Sequence, residues 1–339
     1  AALLAFTKVG NAVTFPEGSM MGYYNDLTKQ AEKAGLSAVV VKNTITFSDS
    51  VVAAIMRWSK KDNYAQTRTA ERYTVLYNVP GRWIPTPPMY GTAVEPHWRE
   101  IRTMVMDSAS QFRPVPPPVC DAENKNSEYC KALMEVKTVG ENLTEEQKHI
   151  ADFWHNNPFK INVSGHVMFA TKKFSPPGHS MNIVGIAAQK AGADFNTTVT
   201  AYTKTAIAMF DGFISCWEGK FIFNYVRPET AINQLVDPEW RPYIQTPPFP
   251  SYPSGHATVS AAAAESMTSV FGDKLSFTDT SLLEFGIGNR EVTSFRNAAK
   301  EAAMSRLYGG IHYRFDNDLG AESSKKMGSL VVSRLTMKK

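Results

Sequence analysis

The sequence predicts an all-α protein made of two packed helical bundles. Most segments carry apolar residues at helical spacing, and alternating strand patterns are scarce. Hydrophobic residues make up 43% of the 339 residues and charged residues 20%, a balance that predicts a packed core. Proline-rich connectors at 79–98 and 113–120 indicate a soft boundary near residue 120. Residues 1–120 are therefore expected to form an N-terminal helical half, and residues 121–339 a C-terminal half.

The individual helices are predicted from apolar runs bounded by start and stop signals. In the N-terminal half the predicted helices cover residues 26–35, 48–61 and 62–77, and the first of them ends at a glycine. In the C-terminal half, residues 143–154 place Thr144 three residues before Gln147, the pattern of a capping box. A long helix is predicted over residues 196–226.

Composition excludes several classes of protein. Lys and Arg number 36 and Asp and Glu 32, an excess of four that is too small to indicate nucleic-acid binding but compatible with a local cationic pocket. No uninterrupted apolar run of about 18 residues is present, so no integral membrane segment is expected. Cys120 and Cys130 could pair, but free thiols are favoured, and Cys216 is expected to be buried. The chain does not reveal its oligomeric state; a monomer is favoured.

The first block that suggests chemistry is KFIFNYVRP, residues 220–228. In a helix, Lys220, Asn224 and Arg227 would lie on one face, because they are spaced by four and seven residues. Pro228 is expected to end that helix, since the residue before a proline avoids the α region. Taken alone, the block also fits a solvated basic stripe near a helix C-terminus.

The second block is PPFPSYPSGH, residues 247–256, in which four prolines stiffen the backbone ahead of Ser254, Gly255 and His256. Gly255 lets a backbone approach a ligand closely. A helix that begins near His256 would direct its free N–H groups and positive dipole end toward that ligand. Taken alone, Ser254 also fits an ordinary helix cap.

The third block is SRLYGGIHYRFD, residues 305–316. Gly309 and Gly310 are expected to interrupt a helix that carries Arg306 and to turn His312 toward the same space. Asp316 follows His312 by four residues, so its carboxylate could fix the tautomer of the imidazole. A surface helical pair is the ordinary alternative.

Together the blocks supply cations, neutral donors and two histidines, an inventory that suits a tetrahedral or trigonal-bipyramidal oxyanion. Their order and spacing resemble the signature K-x6-RP, PSGH, SR-x5-H-x3-D of the vanadium-dependent haloperoxidases and the related type 2 phosphatidic acid phosphatase superfamily. The matching positions are Lys220, Arg227, Pro228, Pro253, Ser254, Gly255, His256, Ser305, Arg306, His312 and Asp316. The resemblance is dense over residues 210–320 and looser from residue 80 onward.

Additional residues resemble the haloperoxidase branch. Trp217 and Phe249 occupy positions where fungal chloroperoxidases carry Trp and Phe, and the segments DFWHNNP and SPPGHSMNIVGIA resemble bacterial haloperoxidases. The full chain is most similar to the iodide-preferring enzymes of marine bacteria. His155, His166 and His179 are interpreted as structural or surface histidines, of which His179 is the best candidate for lining a pocket.

The resemblance implies a vanadate (V5+) cofactor in the C-terminal bundle and hydrogen peroxide and halide, with iodide favoured, as substrates. His312 would bind vanadium directly, Asp316 would orient His312, and His256 would move protons. Lys220 would also activate the oxidant, Phe249 would line the halide side of the site, and Trp217 would be a further catalytic residue. The vanadate oxygens would be held by Lys220, Arg227, Ser254, Gly255, His256 and Arg306. By analogy with related bacterial enzymes, a periplasmic or secreted location is expected.

Two other functions fit the same residues. An acid phosphatase would use His312 as the nucleophile, through a phosphohistidine intermediate, and His256 to protonate the leaving group. A non-catalytic oxyanion-binding module would need the cations, but it would need neither a proton-transferring His256 nor a carboxylate partner such as Asp316.

Overall fold

The computed structural model describes residues 1–14, 18–156, 161–164, 167–170 and 174–336. The chain forms two compact units, Ala1–Thr69 and Ala70–Lys339. The sequence boundary near residue 120 falls inside the second unit. The reason is tertiary bonding of the connectors, because Trp83 N donates to Asn224 O (3.0 Å) and Arg113 forms an ion pair with Glu218.

The first unit is helical. Its helices are α1 Ala2–Val13, α2 Met21–Lys33, α3 Ala38–Ser59 and the short α4 Tyr64–Thr67. Ser37 caps α3 through a hydrogen bond from Val40 N (3.4 Å) to its side-chain oxygen. By length and composition α3 is apolar enough to cross a membrane, with a mean hydropathy of 1.4, a feature that the sequence prediction had not anticipated. Core helices of soluble proteins and signal sequences share this length and composition, so α3 alone does not indicate a membrane span.

The second unit carries the remaining helices. These are α5 Glu128–Glu141, α6 Glu145–Phe153, α7 Pro176–Lys190, α8 Phe195–Phe223, α9 Pro228–Leu235, α10 Gly255–Phe271, α11 Phe295–Tyr308 and α12 Arg314–Arg334, with 3₁₀ turns at Trp98–Glu100 and Leu283–Phe285. The described strands form two short antiparallel hairpins. In these, β1 Ile161–Ser164 pairs with β2 Val167–Ala170, and β3 Phe277–Asp279 pairs with β4 Arg290–Val292. The all-α prediction is confirmed.

Helix α10 lies at the centre of the second unit, where it packs against α8, α11 and α12. Its middle is a buried alanine run, Ala261–Ala264, whose small side chains allow neighbouring helices to approach closely. The approach of α12 also requires Gly328, because a Cβ atom there would lie 2.9 Å from Glu265 Cβ and 3.2 Å from Ala262 O. The middle of this central helix is therefore closely packed among three others.

Several predicted helix bounds are confirmed and others are wrong. Helix α6 has the predicted Thr144–Gln147 capping box, and α8 matches the long predicted helix closely. Helices α2 and α3 begin earlier than predicted, at Met21 and Ala38. The helix predicted over 62–77 is limited to Tyr64–Thr67. Tyr73 instead packs edge-on against the Phe221 ring (5.0 Å), a tertiary contact that overrides local propensity. The three cysteines are free thiols, as favoured.

Candidate functional site

Lys220 lies in the last turn of α8, whereas Arg227 precedes the next helix. Helix α8 ends at Phe223, Asn224 adopts the left-handed conformation (φ 47°), and Pro228 is the first residue of α9. The prediction that Pro228 ends a helix is wrong. Proline is well suited to the first position of a helix, where its missing N–H is not needed. The turn at Asn224 still directs both cations toward one loop.

That loop is the proline-rich segment before α10, and it holds both cations through main-chain carbonyl groups. Lys220 Nζ donates to Pro250 O (2.8 Å) and Ser251 O (2.9 Å). Arg227 Nε donates to Phe249 O (2.8 Å). Neutral carbonyl groups position the cations but do not cancel their charge. The stiff loop therefore fixes two positive groups and leaves their charge available to a ligand.

The N-terminus of α10 begins as the sequence predicts. Ser254 is its N-cap and accepts a hydrogen bond from Ala257 N (3.4 Å), which leaves the hydroxyl proton free to donate elsewhere. Gly255 and His256 follow in the first turn, where backbone N–H groups have no acceptor within the helix. Both residues line a cavity of about 370 Å³, so the positive end of the helix dipole borders this cavity.

The predicted turn at Gly309 and Gly310 follows α11 directly. Gly310 has φ 75°, and a Cβ atom there would lie 3.1 Å from Pro242 and Trp240 atoms. Glycine is therefore required by conformation and by space. The turn delivers His312 to the same cavity.

His312 is oriented by Asp316 in the way that the spacing predicts. Its Nδ1 lies 2.8 Å from Asp316 Oδ2, and this oxygen also accepts hydrogen bonds from Ser251 Oγ (2.5 Å) and Tyr313 N (3.2 Å). On the other side of the ring, Arg227 Nη1 lies 3.1 Å from His312 Nε2. Arg227 can only donate, so Nε2 carries the lone pair and Nδ1 carries the proton. Burial raises the pKa of Asp316 to about 7.

The end of α6 supports the other two members of the site. Arg306 Nη2 lies 3.5 Å from Ala151 O, and a backbone group of Trp154 hydrogen-bonds to the His256 ring. Burial, followed by the charge of Arg306, lowers the pKa of His256 well below its ordinary value, so the ring is neutral at neutral pH. Its Nε2 is buried without a hydrogen-bond partner in the described part of the chain.

The three sequence blocks therefore meet in space. Burial lowers the pKa of His312 well below its ordinary value, and the nearby charges of Arg227, Lys220 and Arg306 lower it further. We call the assembled group the oxyanion cage; its members are Lys220, Arg227, Ser254, Gly255, His256, Arg306 and His312.

The cage has an excess of buried positive charge. Lys220 and Arg227 are fully buried and Arg306 is 1% exposed, yet among the described residues none of the three forms an ion pair with a carboxylate. Burial lowers the pKa of Lys220 to about 7 and those of Arg227 and Arg306 to about 9. Arg227 Nη2 is buried with no partner in the same part of the chain. Because unpaired buried cations are costly, the cage fits a highly charged oxyanion such as vanadate or phosphate.

Aromatic rings form one wall of the cavity. Trp217 packs against Phe249 (5.2 Å) and against Trp98 (4.9 Å), and its Nε1 donates to Val94 O. The Phe249 ring centroid lies 5.0 Å from both Lys220 Nζ and Arg227 Cζ. Trp217 and Phe249 both line the cavity, and their rings also lie beside the Lys220 ammonium group.

Three further histidines were interpreted as structural or surface residues. His155 lines the cavity. The prediction that His179 is the best candidate for lining the pocket is wrong, because His179 lies behind the lining, buried against Trp154. In the PPGH segment it is Pro176 and Pro177 that line the cavity. His166 lies outside the described residues.

Sequence reasoning missed several residues of the site. Ser251 was read only as part of a stiff loop, although its hydroxyl donates to Asp316. Trp98 and Asn156 line the cavity, and neither belongs to a signature block. The segment DFWHNNP, which resembles bacterial haloperoxidases, contains Asn156, but in this segment only His155 was interpreted, as a structural or surface histidine.

Comparisons with known proteins agree with this geometry. Residues 200–338 match a family model described as the VCPO second helical-bundle domain. The chain is 43% identical to the first bacterial vanadium-dependent iodoperoxidase, known from its crystal structure, with a TM-score of 0.90; the match covers 98% of this chain and 79% of that one. The holo and apo forms of a bacterial vanadium-dependent chloroperoxidase are 18% and 19% identical, with TM-scores of 0.70 and 0.71. Each match covers 98% of this chain; the matched part is 80% of the holo chain and 82% of the apo chain. These two matches show a shared fold. No curated protein sequence matches the chain.

Proposed function

The chain belongs to the vanadium-dependent haloperoxidase family, and from this membership we propose that it oxidises iodide with hydrogen peroxide, using vanadate bound in the oxyanion cage. The observation that carries the proposal is the cluster of three buried cations that lack ion-pair partners among the described residues. The identity of 43% to a bacterial iodoperoxidase supports iodide as the halide.

Each cage residue has a role that follows from its contacts. His312 Nε2 would bind vanadium, because Nδ1 is committed to Asp316. Arg227, Lys220 and Arg306 would neutralise the oxygens, and Ser254 and Gly255 N–H would donate to them. Bound vanadate supplies a Lewis acid that makes peroxide electrophilic toward halide. His256, neutral and with Nε2 unpartnered in the described chain, would accept the proton that hydrogen peroxide gives up.

Orthovanadate is expected to switch on peroxide-dependent triiodide formation in protein purified without vanadium, because the cage gains the anion that its cations require. Triiodide absorbance should rise with added vanadate and saturate. Hydrolysis of a generic phosphomonoester, measured in parallel, tests the alternative function of an acid phosphatase. If vanadate only inhibits hydrolysis and elicits no iodide oxidation, the phosphatase is the correct assignment, with His312 as nucleophile.

Substitution of Phe249 by alanine is expected to lower kcat/KM for iodide about fivefold, because the ring shields the Lys220 and Arg227 cations from water and interacts with them directly. Steady-state kinetics with iodide and bromide measure the effect. Vanadate affinity should change less than about twofold, since Arg227 is held by the main-chain oxygen of residue 249. Phe47→Ala, at an exposed position, is the matched control. Unchanged halide kinetics in Phe249→Ala would remove Phe249 from the halide side.

A further inference from the structure

A chain of three buried polar side chains lies behind the cavity wall. His179 Nε2 lies 2.8 Å from Asp279 Oδ2, and His179 Nδ1 lies 2.8 Å from Asn156 Nδ2. Asp279 is fully buried, and the other two residues are each 1% exposed. Asn156 lies in the segment that follows α6, His179 in α7 and Asp279 in β3, so tertiary folding alone brings them together.

The chain of hydrogen bonds has a definite direction. Burial alone would raise the pKa of Asp279, but hydrogen bonds from His179 and Ser281 bring this pKa below its ordinary value. Asp279 is therefore a carboxylate at neutral pH and can only accept, which places the His179 proton on Nε2. Asn156 Nδ2 faces His179 Nδ1 at 2.8 Å and can only donate, so Nδ1 is the acceptor of this hydrogen bond. The amide oxygen, Oδ1, is consequently directed away from His179.

The amide oxygen of Asn156 is the free end of this chain. Oδ1 is buried without a hydrogen-bond partner among the described residues, and Asn156 lines the cavity together with His256 and Arg306. Trp154 connects the two sides, because its ring stacks on His179 (4.9 Å) and its backbone hydrogen-bonds to His256. Buried acceptors in proteins are normally hydrogen-bonded. Asn156 Oδ1, at the same cavity as the proposed proton acceptor His256, is therefore expected to receive a hydrogen bond from a donor group of the ligand.

Resting on the proposed function, we propose that Asn156 is a further catalytic residue, whose Oδ1 accepts a hydrogen bond from hydrogen peroxide beside His256. Hydrogen peroxide carries two O–H donors, whereas a halide carries none and is repelled by a carbonyl dipole. Asn156 therefore selects the oxidant and leaves the halide to the aromatic wall. His179 and Asp279 are positioning residues that prevent the amide from turning its NH₂ group into the cavity.

The test measures the effect of Asn156 on peroxide, on iodide and on vanadate separately. Asn156→Ala is expected to raise KM for peroxide about three- to tenfold, the effect of one lost hydrogen bond, while KM for iodide changes less than about twofold. A readout independent of turnover is a ⁵¹V NMR titration of the vanadate-loaded protein with peroxide in the absence of halide, in which half-saturation should shift by the same factor. Vanadate affinity, measured by calorimetry on the vanadium-free protein, should stay within about twofold. Asn142→Ala, at an exposed asparagine, is the control and should change none of these quantities.

The positioning role has its own pair of variants. His179→Leu removes the acceptor for Asn156 NH₂ and should reproduce the shift in peroxide half-saturation. His179→Asn keeps an oxygen near the Nδ1 position and should restore most of the wild-type value. Unchanged peroxide half-saturation in Asn156→Ala would overturn the inference, as would equal shifts for peroxide, iodide and vanadate, which indicate general structural damage. Absence of vanadate-dependent oxidation in the wild type would instead overturn the proposed function.

Discussion

Replacement of His312 by alanine is expected to lower vanadate-dependent iodide oxidation by about a thousandfold or more, the scale at which loss of a central catalytic group operates. Among the described cage residues, His312 is the only histidine whose ring is held by a carboxylate, because its Nδ1 donates to Asp316. This leaves the lone pair on His312 Nε2. Alanine removes the proposed bond to vanadium and leaves the three cations in place. Initial rates of triiodide formation measure the loss.

Calorimetry with orthovanadate completes this experiment. Vanadate affinity should fall steeply in His312→Ala but not vanish, because Lys220, Arg227 and Arg306 still attract the anion. His149→Ala, at a histidine outside the cage that contacts only the Phe153 ring among the described contacts, is the matched control and should behave as wild type. If His312→Ala keeps wild-type affinity and rate, His312 has no role in binding the cofactor.

Replacement of Asp211 by alanine is expected to lower the free energy of unfolding by about 3–5 kcal/mol, one of the largest single-residue effects in the second unit. Asp211 is fully buried on α8, and its carboxylate accepts three consecutive backbone N–H groups, those of Met104 (2.7 Å), Val105 (2.8 Å) and Met106 (2.9 Å). Alanine would remove the acceptor of three backbone donors, of which Met106 N is buried and the other two are partly buried.

Urea unfolding followed by tryptophan fluorescence is a suitable measurement, because all of the tryptophans except Trp58 lie in the second unit. Asp211→Asn keeps one acceptor oxygen and should cost less than alanine. Asp26→Ala, at an exposed position, should be near neutral. A loss below about 1 kcal/mol in Asp211→Ala would show that the 104–106 segment contributes little to stability. The segment follows the 3₁₀ turn that carries Trp98, so the aromatic wall should loosen with it.

The oxyanion cage could be predicted from the sequence because the chemistry of an anion restricts the residue types. Only cations, hydroxyls, N–H groups and imidazoles serve, and their spacing within each block survives folding. His312 and Asp316, for example, are four residues apart and make the expected contact. Local signals also located the start of α10 and the turn at Gly309.

The parts that could not be predicted depend on contacts between distant residues. Asn156 and His179 are 23 residues apart, and His179 and Asp279 are 100 apart. No periodicity or motif joins such positions. The prediction that Pro228 ends a helix was wrong for a related reason. A proline is compatible with either end of a helix, and the left-handed turn at Asn224, which decides between them, depends on the tertiary surroundings.

The main-chain anchoring of Lys220 and Arg227 has a consequence for redesign. Their acceptors are the carbonyl oxygens of residues 249, 250 and 251, which every amino acid supplies. The side chain at position 249 can therefore be varied in a library while these main-chain hydrogen bonds to the guanidinium and ammonium groups are kept. Under the proposed function, variants at this single position are expected to change halide kinetics more than vanadate affinity.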